Sequence, residues 1–420
     1  MKVTIERSEI DGRITAPASK SMTHRAVICS ALARGRSRVE HPLSADDTEA
    51  TLRVLQALGV GVEKLEKSWI IEGGELNPPK GALDCGESGT TLRLMTAVCA
   101  LVKGSSVLKG GPSLSVRPME PLLEALRQLG VDCESQRGNP PVKVHGNAGF
   151  EGGEVSIRGD ISSQFISALL LIAPFALEQL RVKATTRLES APYVGMTLDA
   201  MRAFGIQTEA SEGYREITVE RQAYTPTTFG VEGDWSSGAH ILAVGALAGR
   251  VSMENLRLGS RQADAVITEV LTEMGAEVKF YGQGVSVECA ELKGIDWDLT
   301  DSPDLFPVVA ALCSTAKGES RLRGIKRLRL KESDRIASME EGLNRMGVKT
   351  DSTDETMIIH GGAPDGAEID AHDDHRIAMA FGVLGLAAKG MTTIKDAECV
   401  SKSYPDFWED LKALGARIGR

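Results

Sequence analysis

The feature that most constrains the fold is a pattern that recurs six times along the chain. Each copy has an apolar residue, two variable residues, a second apolar residue, a glycine and a strand-like run. The copies read LQALGVGV at 55–62, LRQLGVDC at 126–133, MRAFGIQT at 201–208, LTEMGAEV at 271–278, LNRMGVKT at 343–350 and LKALGARI at 411–418. Their glycines are 71, 75, 70, 72 and 68 residues apart. This regular period predicts six repeated structural units.

Each repeat predicts two helices followed by strands. The repeated glycine marks a helix end, because it adopts the left-handed conformation that other residues resist. An earlier, strongly apolar helix precedes it, as in 19–33, 162–177 and 373–388, and is predicted to be buried on most sides. The second helices, such as 339–346, are amphipathic and should face solvent. Ser44 and Asp47 are predicted to cap one of them. Each repeat should also contain three or four strands. By their size, the six repeats are expected to form two domains of three repeats each.

Composition limits the partners of this protein. The net charge of −10 argues against nucleic acid as the main partner. The N-terminal run has no signal-peptide pattern, and the longest apolar stretch, 166–177, is too short to cross a bilayer. Seven cysteines show no metal-ligand spacing and are predicted to be buried, reduced thiols. We therefore expect a cytoplasmic protein without membrane association, metal or cofactor.

Cations gather at the starts of the apolar and neighbouring helices. The segments that carry them are APASKSMTHR at 16–25, CGESGTTLR at 85–93, LSVRPMEPLL at 114–123, RLRLKESDRIASM at 327–339, DDHRIAMAFG at 373–382 and CVSKSYPDFW at 399–408. Any one of them can be read as an ordinary solvated helix start. Six such starts in six repeats favour a pocket for a ligand with several negative charges, because helix N-termini and arginines both bind anions.

Taken together, SKSMTHR, SGTTLR, SSQF, KESDR, DDHR and SKSYPDFW resemble the 5-enolpyruvylshikimate-3-phosphate synthase family over essentially the whole chain. The resemblance implies an α/β fold, a two-domain inverse α/β barrel with six βαβαββ repeats, three per domain. It implies one domain at 18–231 and a second made of 1–17 plus 232–420, with the active site in the interdomain cleft. It further implies transfer of the enolpyruvyl group of phosphoenolpyruvate to shikimate 3-phosphate in chorismate biosynthesis, and sensitivity to glyphosate.

The resemblance also implies roles for individual residues. The residues expected to bind shikimate 3-phosphate are Lys20, Ser21, Arg25, Ser162, Ser163, Gln164, Ser190, Asp304 and Lys331. Those expected to bind phosphoenolpyruvate are Lys20, Gly89, Arg117, Gln164, Arg335, Arg376 and Lys402. Asp304, Glu332 and Lys20 are the expected catalytic residues, with Asp304 deprotonating the 5-hydroxyl and Glu332 taking part in proton transfer.

Two alternatives remain open at this point. The sister family of UDP-N-acetylglucosamine enolpyruvyl transferases carries a reactive cysteine before the arginine that matches Arg117, and here the loop KGGPSLSVR has none. A non-catalytic repeat scaffold that binds anionic partners would tolerate replacement of Lys20 or Asp304. Three positions depart from the pattern of the resembled family, namely Glu87, Ala191 and Arg327. The sequence is silent on oligomeric state, and we expect a monomer.

Overall fold

The computed structural model describes residues 1–419 and divides the chain into two units. Unit N is Ala18–Glu232, and unit C is Met1–Pro17 together with the chain from Gly233 onward. Within the described residues the helices are α1 Lys20–Leu32, α2 Asp46–Ala57, α3 Gly89–Val98, α4 Glu120–Gln128, α5 Ser163–Ile172, α6 Ala191–Ala203, α7 Trp235–Ala248, α8 Ile267–Met274, α9 Phe306–Thr315, α10 Arg335–Arg345, α11 His375–Gly385 and α12 Phe407–Ala413.

Residues 1–419 also form twenty-four strands. They are β1 Lys2–Glu6, β2 Ile10–Thr15, β3 Gly35–Glu40, β4 Gly61–Leu65, β5 Ser68–Gly73, β6 Leu83–Asp84, β7 Gly104–Lys109, β8 Asp132–Gln136, β9 Asn139–Gly146, β10 Gly153–Ile157, β11 Leu180–Ala184, β12 Glu209–Ala210, β13 Glu216–Val219, β14 Thr228–Gly230, β15 Gly249–Glu254, β16 Glu277–Tyr281, β17 Gly284–Glu288, β18 Asp296–Asp298, β19 Glu319–Arg323, β20 Thr350–Ser352, β21 Thr356–His360, β22 Glu368–Asp370, β23 Thr392–Lys395 and β24 Arg417–Gly419.

All six repeats build the same four-stranded sheet. In the repeat that spans β10 to β13, the strand order is β10-β11-β13-β12, with α5 and α6 as the connections around β11. The first pair is parallel and the other two pairs are antiparallel. This is a βαβαββ unit, since a parallel pair needs a crossover helix whereas an antiparallel pair does not. The predicted fold class is confirmed.

Three of the repeats include a strand from a distant part of the sequence. In unit C, β2 pairs in parallel with β15 and supplies the first strand of the repeat that contains α7. In unit N, β14 pairs in parallel with β3 and supplies the first strand of the repeat that contains α1. In unit C, β1 lies between β23 and β24 and supplies the last strand of the repeat that contains α12. The end of each unit is therefore tied back to its beginning through backbone hydrogen bonds.

The six repeated glycines end the second helix of each repeat as predicted. Their φ angles all lie between 78° and 105°, in the region where a Cβ would be strained. The first helices are buried on nearly all sides, and in α11 every residue is buried. By contrast, α10 buries one face, which includes Ile336, Met339 and Leu343. The apolar and amphipathic patterns therefore predicted the burial of both helix types correctly.

Two local predictions were wrong. Ser44 does not cap α2, because the cap position is Ala45 and the Ser44 hydroxyl donates to Oε1 of Glu49 at 2.7 Å. Asp47 is not a capping partner either, since its carboxylate bonds Lys20. Of the seven cysteines, all free, Cys289 is exposed and the other six are buried. Among residues 1–419, no helix is both long enough and apolar enough to span a membrane.

Candidate active site

In unit N, the start of α1 places an ammonium group beside a carboxylate. Ser19 caps the helix and accepts the N–H of Met22. Nζ of Lys20 donates to Oδ2 of Asp47 at 2.8 Å, and the two side chains keep 14% and 9% of their exposure. This contact fixes the Lys20 ammonium at a helix start, where the free N–H groups also favour an anion.

Arg25 is a buried cation whose hydrogen bonds all go to neutral oxygens. Its guanidinium donates to Oγ1 of Thr197 at 2.8 Å and to the carbonyls of Ser21 at 2.8 Å and Tyr193 at 3.0 Å. Burial lowers the pKa of Arg25 to about 10, so the charge persists at neutral pH. Two of these contacts lie on α6, which Ser190 precedes in a left-handed conformation with φ 55°. A buried charge without a counter-ion favours an anionic ligand.

The starts of α3 and α5 meet through a chain of side-chain hydrogen bonds. Nη1 of Arg93 donates to Oε1 of Gln164 at 2.7 Å, and Nε2 of Gln164 donates to Oγ1 of Thr90 at 3.0 Å. Ser162 is buried and caps α5 by accepting the N–H of Gln164, and Ser163 is the first residue of the helix. Of the predicted residues, Ser162 and Gln164 thus contact Arg93, an arginine to which the resemblance gave no role.

Gly89 and Arg117 are in close contact. A Cβ placed on Gly89 would lie 2.7 Å from Nη1 and 3.1 Å from Cζ of Arg117. Arg117 is only 5% exposed, so its guanidinium has little room to retreat. Gly89 is the first residue of α3 and has no side chain, so the guanidinium of Arg117 can occupy the space beside it.

In unit C, Arg335 is the centre of a buried charge cluster. Its Nε donates to Oδ2 of Asp374 at 2.8 Å, its Nη1 to Oδ1 of Asp304 at 2.8 Å and its Nη2 to Oε2 of Glu332 at 2.9 Å. Burial opposes the charge on Arg335, but these carboxylates outweigh that effect and raise its pKa. Lys331 joins the cluster with Nζ 3.5 Å from Oδ1 of Asp304. Residues near the starts of α9, α10 and α11 are thus brought together.

Two further predicted cations of unit C lie close to this cluster or to α11. Nη2 of Arg376 is 3.7 Å from Oδ2 of Asp304. Its Nε and Nη1 are buried and have no hydrogen-bond partner among residues 1–419. Nζ of Lys402 donates to the carbonyl of Asp373 at 2.6 Å and to its Oδ2 at 2.7 Å. Buried guanidinium nitrogens without a partner are rare, and they indicate a missing acceptor.

Two further buried titratable side chains, Asp264 and His240, interact electrostatically with this cluster and were not predicted from the sequence. Burial raises the pKa of Asp264 to about 7, and the nearby Asp304 acts in the same direction. Its carboxyl accepts a hydrogen bond from the hydroxyl of Ser236, which lies in the first turn of α7. Burial, aided by Arg376, lowers the pKa of His240 to about 3, so this imidazole is neutral. Within the described part of the chain, no three His, Cys, Asp or Glu side chains are grouped as metal ligands would be.

The structure corrects one expectation about the charge of the site. The sequence predicted a pocket built from cations, yet Lys20, Arg335 and Lys402 each bond at least one carboxylate. The carboxylates that sequence reasoning missed are Asp47, Asp373 and Asp374. Each lies near the start of a helix, and of the three only Asp47 had a role predicted from the sequence, that of a capping partner. Unit N holds the predicted Lys20, Ser21, Arg25, Gly89, Arg117, Ser162, Ser163, Gln164 and Ser190, and unit C holds Asp304, Lys331, Glu332, Arg335, Arg376 and Lys402.

Comparison with known proteins identifies the family to which this architecture belongs. The family model of EPSP synthase (3-phosphoshikimate 1-carboxyvinyltransferase) matches residues 5–411. The chain belongs to the EPSP synthase family. The resemblance inferred from the sequence motifs is confirmed.

Relatives of the EPSP synthase family match the chain over its full length. A protein of Dehalococcoides mccartyi named 3-phosphoshikimate 1-carboxyvinyltransferase is 45% identical over 100% of this chain and 99% of its own. A protein of the same name from Methanothermobacter thermautotrophicus is 44% identical over the same shares. The solved EPSP synthase of Acinetobacter baumannii has a TM-score of 0.83 and 29% identity and covers 100% of both chains. The repeat architecture is therefore that of the EPSP synthase family.

Proposed function

We propose that this protein transfers the enolpyruvyl group of phosphoenolpyruvate to the 5-hydroxyl of shikimate 3-phosphate and releases phosphate. Membership of the EPSP synthase family supports the reaction class. The observation that carries the proposal for this chain is Arg376, whose buried Nε and Nη1 lack any acceptor among the described residues. A carboxylate or phosphate of the substrates supplies that acceptor, because a guanidinium binds both groups in a planar fork.

The binding of shikimate 3-phosphate is assigned mainly to unit N. Arg25 offers a buried charge whose hydrogen bonds go to neutral oxygens, and Lys20 stands at a helix start. Ser21, Ser162, Ser163, Gln164 and Ser190 provide hydroxyl and amide groups for the phosphate and ring hydroxyls. Asp304 and Lys331 are also assigned to this substrate.

Phosphoenolpyruvate is assigned to a set of residues that are mostly cations. The proposed set is Lys20, Gly89, Arg117, Gln164, Arg335, Arg376 and Lys402. Arg335 already gives its nitrogens to three carboxylates, so any contact with phosphoenolpyruvate would be shared with Asp304, Glu332 and Asp374. Arg376 has free donors and is therefore the stronger candidate for direct contact.

The reaction needs a base for the hydroxyl and an acid for the enol carbon. Asp304 would accept the 5-hydroxyl proton as the oxygen attacks C2 of phosphoenolpyruvate, and Glu332, with Lys20, would serve the proton transfer at C3. The resulting tetrahedral ketal then loses a proton from its new methyl group, the C2–O bond to phosphate breaks and the enolpyruvyl double bond reforms. Arginines and lysines around the donor stabilise the charge that develops on the departing phosphate.

Phosphate release tests the choice of acceptor. The purified protein is given phosphoenolpyruvate with either shikimate 3-phosphate or UDP-N-acetylglucosamine, in the presence of a chelator. Release with shikimate 3-phosphate alone supports the proposal. Release with the nucleotide sugar alone would assign the sister activity, although the loop before Arg117 has no cysteine. Release with neither acceptor would favour the non-catalytic, anion-binding scaffold.

The Gly89→Ala variant is expected to raise the KM for phosphoenolpyruvate by about tenfold. A methyl group at residue 89 would lie 2.7 Å from Nη1 of Arg117 and would displace that guanidinium. A displacement of about 1 Å in a binding group is enough for an effect of this size. Inhibition by glyphosate should weaken in parallel. Steady-state kinetics with both substrates varied gives the answer, and an unchanged KM for phosphoenolpyruvate would refute the contact.

The lowered pKa of Lys331 predicts that substrate binding weakens above about pH 8. Burial of its ammonium group lowers the pKa of Lys331 to about 8, and Asp304 opposes part of that lowering. The cation is therefore present below pH 8 and is lost as the pH rises through this value. We expect kcat/KM for shikimate 3-phosphate to fall above about pH 8. In Lys331→Arg the fall should move to higher pH, since arginine stays protonated. An identical profile in the two proteins would contradict the role of Lys331.

We infer that the protein acts in the cytoplasm as a monomer. Six buried, free cysteines and one exposed, free cysteine suit a reducing compartment. Light scattering on the purified protein distinguishes a monomer from a dimer, and separation of soluble and membrane fractions from cells tests the compartment.

A further inference from the structure

Glu87 lies in the turn before α3, and its carboxylate bonds the loop that carries Arg117. Oε2 of Glu87 accepts the hydroxyl of Ser113 at 2.5 Å and the N–H of Leu114 at 3.0 Å. These two residues begin a short 3-10 turn, Leu114–Val116. Arg117 ends this turn by donating its N–H to the carbonyl of Leu114. One half-buried carboxylate therefore caps the turn that presents the guanidinium.

The same loop is shaped to receive this carboxylate. A Cβ placed on Gly111 would lie only 2.0 Å from Oε1 of Glu87, so residue 111 must lack a side chain for the contact to form. The backbone adds a second link, because the N–H of Gly111 donates to the carbonyl of Gly86 at 2.8 Å. The turn before α3 and the loop before Arg117 are thus joined on both sides of Glu87.

This arrangement indicates a structural role for Glu87, which departs from the pattern of the family. A carboxylate near a site for an anionic donor should weaken binding by repulsion if it faces the donor. Here Oε2 of Glu87 accepts two hydrogen bonds from the loop, one from the Ser113 hydroxyl and one from the Leu114 N–H. A charged acceptor makes these the stronger class of hydrogen bond, and a capped turn is held more firmly than an open one.

We propose that Glu87 is a positioning residue that sets the affinity for phosphoenolpyruvate by holding the Arg117 loop. The inference rests on the proposed function, because it concerns the donor site of that reaction. The carboxylate acts through Arg117 and takes no part in proton transfer. Its loss should therefore appear in the KM for phosphoenolpyruvate and leave kcat and the KM for shikimate 3-phosphate unchanged.

Three variants separate the acceptor from the charge. Glu87→Ala removes both and should raise the KM for phosphoenolpyruvate by about tenfold, since hydrogen bonds to a charged group are lost. Glu87→Gln keeps an acceptor oxygen without the charge and should restore most of the affinity. Gly111→Ala keeps the charge but expels the carboxylate from the loop, so it should resemble Glu87→Ala. Glu134→Ala, which removes an exposed carboxylate paired with Lys143, is the control and should match the wild type.

The outcomes distinguish this inference from the proposed function. If the wild-type protein releases no phosphate with shikimate 3-phosphate, the proposed function fails before the variants are compared. If the wild type is active and Glu87→Ala leaves the KM for phosphoenolpyruvate unchanged, only the role of Glu87 is overturned. It is also overturned if Glu87→Ala and Glu87→Gln show the same KM, because charge and not the held loop would then matter. A parallel rise in Glu87→Ala and Gly111→Ala supports it.

Discussion

The Asp304→Asn variant is expected to lose between about a hundredfold and ten-thousandfold in kcat, the range typical of a lost general base. Asparagine keeps an acceptor oxygen for Nη1 of Arg335, which donates to Asp304 at 2.8 Å. It cannot take the proton from the 5-hydroxyl. The loss should therefore be chemical, with binding of both substrates changed much less than kcat.

Single-turnover and steady-state kinetics measure this loss. Asp301→Asn, which changes an exposed carboxylate three residues earlier, is the matched control and should keep wild-type kcat. Urea unfolding of both variants shows whether unit C remains folded. A fully active Asp304→Asn protein would remove Asp304 from the mechanism and would favour the scaffold interpretation.

Replacing Arg335 with methionine is expected to lower the free energy of unfolding by about 3–5 kcal/mol, the cost of breaking a buried ion pair on one side. Arg335 is 1% exposed, and Asp374 is fully buried with its carboxylate on Nε. Without the guanidinium, Asp374, Glu332 and Asp304 would share a site with too little positive charge. Activity should fall in the same variant, since the position of Asp304 depends on Nη1.

Urea unfolding followed by tryptophan fluorescence tests this prediction, because three of the four tryptophans, Trp235, Trp297 and Trp408, lie in unit C. Arg345→Ala removes an exposed i,i+4 pair with Glu341 and should cost less than about 1 kcal/mol. Adding Asp374→Asn to Arg335→Met should recover part of the stability, since it removes the unpaired charge. If Arg335→Met is as stable as Arg345→Ala, the cluster does not hold unit C together.

The repeat pattern predicted the fold because it depends on local rules. A glycine with positive φ after an amphipathic helix is dictated by backbone sterics, and all six glycines obey it. Apolar helices must be buried wherever they occur, and they are. The prediction that all seven cysteines are buried was wrong at Cys289, because its exposure does not follow from any repeated pattern. It stands directly after β17, where a single residue leaves the sheet and no periodicity fixes its exposure.

The pairing of charges could not be predicted from any one helix start. Asp47 was assigned to a cap, but its partner Lys20 lies 27 residues earlier. The same separation joins Leu114 with Glu87, and Lys331 with Asp304. These pairs link the starts of the first and second helices of a repeat, or the residues just before them. A search for opposite charges at that spacing across repeats would have found two of them, whereas local capping rules could not.

In the proposed reaction the enolpyruvyl group of phosphoenolpyruvate, and not its phosphoryl group, is transferred to the acceptor. Phosphoenolpyruvate carrying ¹⁸O in the oxygen between C2 and phosphorus, incubated with shikimate 3-phosphate and the protein, tests it by ³¹P NMR or mass spectrometry of the released phosphate. We expect the label to leave with phosphate, because the C2–O bond breaks, and an enolpyruvyl ether of the acceptor to form in equal amount. Unlabelled phosphate, with ¹⁸O left in pyruvate, would show cleavage at phosphorus and would contradict enolpyruvyl transfer.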